Sequence, residues 1–223
     1  MVNGVIAVII AYLLGSFPSA YLITRLATGK DIRKLGGGNA GASNVYREIG
    51  LRAAIPVAIL DIGKGAAAVA VAELVLAAPQ PFLALAGLAA VAGHICSVYL
   101  KFSGGDGVSA AIGVLALMMT KELVIVLGIM LVLTVITRNP VLSLNTGFVS
   151  LPVSGWFVEK SWLAVIFSVL LLVMMLLHFL PTAKAALAQA GNKEKLLADL
   201  LRMDEADKKQ KRGKKSKLPV RGR

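Results

Sequence analysis

The chain has 223 residues, 57% of them apolar and 16% charged, with a formal net charge of +12 and a mean hydropathy of +0.77. Soluble domains average about 45–50% apolar and about 25% charged residues, so an ordinary soluble domain is excluded and a polytopic membrane protein is indicated. The single cysteine, Cys96, excludes an internal disulfide framework and any cysteine-based metal cluster.

Seven apolar stretches approach the roughly 20 residues that cross a hydrocarbon layer of about 30 Å. They cover residues 4–26, 53–78, 82–100, 108–120, 123–137, 141–158 and 161–180. The expected fold is an all-α membrane bundle of about seven transmembrane helices. The fourth and fifth stretches are short, so five spans plus a re-entrant pair stay open. Two crossings are favoured because Lys121 and Glu122 between them call for water. The first stretch has no preceding Lys or Arg and reads as a membrane helix rather than a cleaved leader. Arg25, Lys30, Arg33, Lys34, Arg47 and Arg52 lie between the first two stretches, and Lys101, Arg138 and the C-terminal tail fall on the same side. Only Lys121 and Lys160 fall opposite, so the positive-inside rule puts the N-terminus outside and the C-terminus in the cytoplasm.

Residues 1–181 form the membrane domain, and residues 182–223 are expected to be a basic tail, helical at first and then disordered. Residues 181–223 hold 13 Lys+Arg against 5 Asp+Glu. Because this charge follows directly on a membrane segment, its expected partner is anionic lipid and not nucleic acid, with a solvated tail as the equal alternative. On the second helix Asp61 and Lys64 stand three apart on one face, either as a structural ion pair or as support for a binding site. Glu73 is expected at interfacial water. His94 and His178 fall near helix ends, neither with a carboxylate close in sequence, and no grouping has metal-ligand spacing.

Two glycine-rich turns share the basic side. One is Gly-Gly-Gly-Asn-Ala-Gly-Ala-Ser-Asn, from Gly36 to Asn44, and the other is Ser-Gly-Gly-Asp-Gly-Val-Ser-Ala, from Ser103 to Ala110. Glycines at positive φ let backbone N–H groups converge on an anion, and a helix start after each turn adds unpaired donors. Phosphate binding without a metal or a cofactor is therefore expected, with Arg33, Lys34, Arg47, Lys101 and Arg138 around it. Tight turns with topology-setting charges are the plainer alternative. Neither turn matches an ATP or NAD motif.

Four blocks together resemble the bacterial acyl-phosphate:glycerol-3-phosphate acyltransferases. They are Gly15 to Ile23, Asp31 to Arg47, the Asp-x-x-Lys-Gly of Asp61, Lys64 and Gly65, and Gly93 to Val108. The resemblance implies transfer of an acyl chain from acyl phosphate to the 1-hydroxyl of glycerol 3-phosphate at the bacterial inner membrane, beginning phospholipid synthesis. It implies catalytic roles for Asn39, Ser43, Arg47 and His178. It implies substrate contacts from Gly36, Gly38, Asn44, Lys101, Gly104, Gly105, Gly107 and Arg138, with the Gly104 and Gly105 backbone donors on a phosphate.

The sequence departs from the family pattern at several positions. Gly37 replaces a serine, Asp106 replaces a lysine, and Leu177 and Pro181 flank His178 where the family has Arg and Asn. Arg138-Asn139-Pro140-Val141 replaces a fourth short element. Asp106 is left to be offset by Lys101 or to pair with Arg47 or Arg138. Two alternatives to full activity follow: a related protein that binds phosphorylated lipid precursors without converting them, and a small anion transporter.

Overall fold

The computed structural model describes residues 1–138 and 140–190, without the side chains of residues 140, 141, 179 and 181–190. The described residues contain helices and connecting turns and no strand. In chain order the helices are α1 (Val2–Gly15), α2 (Ser19–Thr28), α3 (Ala42–Glu48), α4 (Leu51–Ala70), α5 (Gln80–Ile95), α6 (Val108–Met118), α7 (Thr120–Thr137), α8 (Pro140–Phe148), α9 (Leu151–Glu159) and α10 (Trp162–Ala190). Among the described residues, four helical stretches are long and apolar enough to cross a membrane: Val2–Thr28, Leu51–Val75, Gln80–Leu100 and Thr120–Thr137.

The first apolar stretch is two helices because Pro18 lacks an N–H and disfavours the helical conformation for Phe17. The carbonyls released at this break find partners in neighbouring helices: Lys64 Nζ donates to the Phe17 carbonyl at 2.9 Å and Ser97 Oγ to the Ser16 carbonyl at 2.5 Å. A buried break would otherwise leave orphaned acceptors.

Glycines decide which helices touch. A Cβ at Gly15 of α1 would overlap the Ala90 carbonyl of α5, and one at Gly93 of α5 would overlap Tyr12 of α1. Gly65 of α4 meets Ala110 of α6 in the same way, and Gly113 of α6 meets Ile62 of α4. Between membrane helices, packing contacts replace hydrophobic burial as the driving force, and small residues let backbones approach. The α1–α5 and α4–α6 pairs therefore cross backbone against backbone. Helix α5 is the most enclosed of the four long stretches.

Three further expectations about elements change. The fifth stretch, expected to be short, is the 18-residue α7. Residues 141–158 are not one helix: α8 and α9 are separated at Val149 and Ser150, where Ser150 Oγ bonds the Gly147 carbonyl, and Pro152 stands in the first turn of α9. Lys121 is exposed as expected, whereas Glu122 is 0% exposed in the first turn of α7, where the helix dipole favours a carboxylate. Glu73 is exposed, as its place near a helix end suggested. Helix α10 runs through the proposed 181/182 boundary to Ala190, and the rest of the tail, like Asn139, lies outside the described residues.

Candidate active site

The first glycine turn is organised from within. Asp31 caps a short 3-10 turn (Ile32–Lys34), accepting from Arg33 N–H at 3.0 Å, and the Arg33 guanidinium pairs with the same carboxylate at 2.7 Å. These bonds to Arg33 hold the Asp31 carboxyl below its ordinary range. Arg33 also donates to the Leu100 carbonyl at 3.1 Å, tying the first loop to the segment before the second. Ile32 and Val45, both fully buried, seat the loop on an apolar cluster with Ala54, Val57 and Leu100.

Asn44 fixes the curve of the turn. It is 0% exposed; its Nδ2 donates to the Asn39 carbonyl at 2.9 Å and the Leu35 carbonyl at 3.0 Å, and its Oδ1 accepts from Gly37 N–H at 3.4 Å. Gly36 and Gly38 have φ of 53° and 73°, which lets the chain wrap this side chain. Asn44, Gly36 and Gly38 therefore shape the loop from inside; Asn44, expected among the substrate contacts, is turned away from open space because its amide is spent on carbonyls. At Gly37, the departure from the family's serine, a Cβ would meet nothing within 4 Å.

The second turn packs directly on the first. Ala40 N–H donates to the Gly104 carbonyl at 3.1 Å, so the two bends expected to share one side are in contact. Two backbone donors of this turn, those of Gly104 and Gly105, are not free, contrary to expectation. Gly104 N–H donates to the Ile95 carbonyl at 3.0 Å and Gly105 N–H to the His94 carbonyl at 2.9 Å. The reason is local: the last carbonyls of α5 have no helical partner and take these donors as a cap. Gly107, at φ 81°, packs on Ile95 and Val91 and precedes α6.

A cavity of about 210 Å³ opens where the turns meet. One wall carries Gly41, Ala42 and Ser43 at the start of α3, His94 at the end of α5, Asp106, and Ser109 at the start of α6. The other carries Met130 of α7 and Leu144 and Asn145 of α8. The first-turn N–H groups of α6, beside Val108 and Ser109, have no carbonyl within their own helix. Arg47 lies one helical turn beyond Ser43 on α3 and is exposed; Lys101 and Arg138 are exposed and stand outside the wall. Asn39 sits beside Gly41, and its buried Oδ1 has no hydrogen-bond partner.

Both histidines have carboxylates that sequence spacing concealed. His94 Nδ1 lies 3.6 Å from Asp61 Oδ1, correcting the expectation that it has no acidic neighbour. Asp61 is fully buried, pairs with Lys64 Nζ at 2.8 Å and accepts a short hydrogen bond from Ser19 Oγ. His178 Nε2 lies 3.6 Å from Asp106 Oδ1, with both side chains about one-third exposed. Asp106 thus faces His178 and none of the three cations weighed from sequence. Ser109, Met130, Leu144 and Asn145 were missed. Asn145, an amide within a stretch of membrane-like hydropathy, carried the one usable signal.

Membrane helices around a cavity lined by both polar and apolar side chains define a polytopic integral membrane protein with an amphiphilic site. The family model for glycerol-3-phosphate acyltransferase matches residues 5–189. Two relatives from Dehalococcoides mccartyi (strain ATCC BAA-2266 / KCTC 15142 / 195) are similar. Glycerol-3-phosphate acyltransferase 1 is 37% identical, over 86% of this chain and 95% of its own length. Glycerol-3-phosphate acyltransferase 2 is 39% identical, over 86% and 91%. The crystal structure of PlsY (YgiH), an integral membrane glycerol 3-phosphate acyltransferase, in its glycerol 3-phosphate form, superposes with a TM-score of 0.75 at 27% identity, over 83% of this chain and 92% of that one. Its lysophosphatidic acid form gives a TM-score of 0.73 at 25% identity, over the same shares. The chain belongs to the glycerol-3-phosphate acyltransferase family.

Proposed function

We propose that this protein transfers an acyl group from acyl phosphate to the 1-hydroxyl of glycerol 3-phosphate, giving lysophosphatidic acid at the cytoplasmic face of the bacterial inner membrane. The observation that carries the reading is the cavity itself, where two interlocked turns meet a wall of Met130 and Leu144. Such a space suits a substrate with a charged head and an aliphatic tail.

Acyl phosphate is an activated mixed anhydride, so the protein's task is to hold two phosphates and align a hydroxyl. The hydroxyl oxygen attacks the carbonyl carbon, the tetrahedral intermediate collapses with departure of phosphate, and the hydroxyl proton passes to a phosphate oxygen. Ser43 and the first-turn N–H groups of α6 donate to anionic oxygens. Arg47 closes on phosphate from the rim as a two-pronged donor. His178, at the rim beside Asp106, orients the acceptor. No cofactor takes part in these steps.

The test supplies purified protein in liposomes with palmitoyl phosphate and glycerol 3-phosphate and measures lysophosphatidic acid by mass spectrometry. Product well above empty liposomes is expected; none above background overturns the proposal. Asp106 in the wall favours a second reading, a binder of phosphorylated lipid precursors, which binding without product identifies.

A further inference from the structure

The cavity wall contains Ser43, Ser109, Asn145, His94 and Asp106, and within it His94 is the one side chain able to carry positive charge. Arg47, Lys101 and Arg138 are exposed and stand outside the wall. A phosphate entering this space therefore meets Asp106, a like charge, with no cation in the wall itself unless His94 carries a proton. His94 is built to receive that proton. It is 4% exposed at the end of α5, its Nδ1 faces Asp61, and its Nε2 edge lies against the Gly105 backbone, where a Cβ would overlap it.

We propose that His94 binds the substrate phosphate as an imidazolium, taking a proton from bulk water as the anion enters, and that Asp61 is the positioning residue that holds it for this task. Asp61 is fixed by Ser19 from α2 and Lys64 from its own helix. Its pairing with Lys64 leaves the cluster neutral while His94 is neutral. Adding the proton makes the cluster a cation only when an anion is there to balance it, so the membrane protein avoids an unpaired buried charge in the empty state. The ionisable groups facing His94 are Asp61 and Lys64 of α4 and Asp106 of the second turn, with His178 of α10 behind Asp106. On α1, Tyr12 is committed to the Cys96 carbonyl at 2.8 Å, and the segment Val108–Met118 of α6 contributes no charged residue.

This inference rests on the reading of the cavity as a phosphate site, and its test does not require turnover. The chain has two histidines, so ¹⁵N-histidine labelling of the full-length protein yields two imidazoles, assigned with His178→Gln. At pH 7.5, adding glycerol 3-phosphate, or inorganic phosphate in a separate arm, is expected to move the His94 nitrogens to imidazolium shifts. Calorimetry in buffers of different ionisation enthalpy is expected to register proton uptake that His94→Gln abolishes. In turnover, His94→Gln is expected to raise KM for glycerol 3-phosphate about 10- to 100-fold with kcat within about threefold, as fits loss of a charge-assisted hydrogen bond. Asp61→Asn is expected to raise KM for glycerol 3-phosphate and to change its dependence on pH, because the imidazolium loses the carboxylate that holds it. A His94 resonance that stays neutral at saturating phosphate overturns the inference, even if lysophosphatidic acid is made. So does an Asp61→Asn protein whose KM–pH profile is unmoved. Protonation on phosphate binding without any product leaves this inference standing and removes the acyltransferase reading.

Discussion

Asp106→Asn is expected to tighten glycerol 3-phosphate binding. In a cavity of about 210 Å³ an anion lies roughly 5 Å from a lining carboxylate, where two unit charges repel by about 3 kcal/mol at an effective dielectric of ~20. Asp106 is 32% exposed and faces His178, so solvent and the imidazole reduce this to about 1–2 kcal/mol. Since about 1.4 kcal/mol is tenfold, KM should fall about tenfold in low salt. The gain should shrink in 1 M salt, where the screening length is about 3 Å. Loss of the carboxylate also removes one charged neighbour of His178, so kcat should drop a few fold while KM improves. Steady-state rates of lysophosphatidic acid formation from palmitoyl phosphate, at two salt concentrations, separate the effects. An unchanged or raised KM would refute the placement of the phosphate beside Asp106.

Three further outcomes are expected. Gly113→Ala drives a Cβ into the Ile62 carbonyl and should cost about 1–3 kcal/mol, read as a lowered Tm in detergent, whereas Gly63→Ala, with open space around it, should leave Tm unchanged. Asn44→Asp replaces an amide donor by a carboxylate facing the Asn39 and Leu35 carbonyls, and should cost about 1–3 kcal/mol with faster proteolysis across residues 35–41. Asp31 has a folded pKa below the ordinary aspartate value of 3.8, so its contribution is present above pH 3.8 and lost as the pH falls through that lower folded value. Tm measured against pH should show this acid limb in the native protein, and Asp31→Asn should remove it.

The helices and both turns were legible because each writes a local pattern: apolar runs of membrane length, and glycine clusters beside basic residues. The pairing of Asp61 with His94 and of Asp106 with His178 was not. Those pairs join α4 to α5 and the second turn to α10, and which helices meet depends on backbone approach at Gly15, Gly65, Gly93 and Gly113 rather than on the ionisable residues themselves. The free role assigned to the Gly104 and Gly105 donors failed for a related reason: glycine content shows that a chain can bend, but not which carbonyls the bend must satisfy. Glu122 escaped because a carboxylate near a helix start reads as solvated unless its neighbours are known.

The Ala40 to Gly104 hydrogen bond has a consequence for how such proteins diverge. Neither loop is an independent cassette, since moving one drags the backbone of the other. Chimaeras that exchange a single loop with a distant relative should lose function where exchange of both together retains it, and lineages should change the two segments in concert.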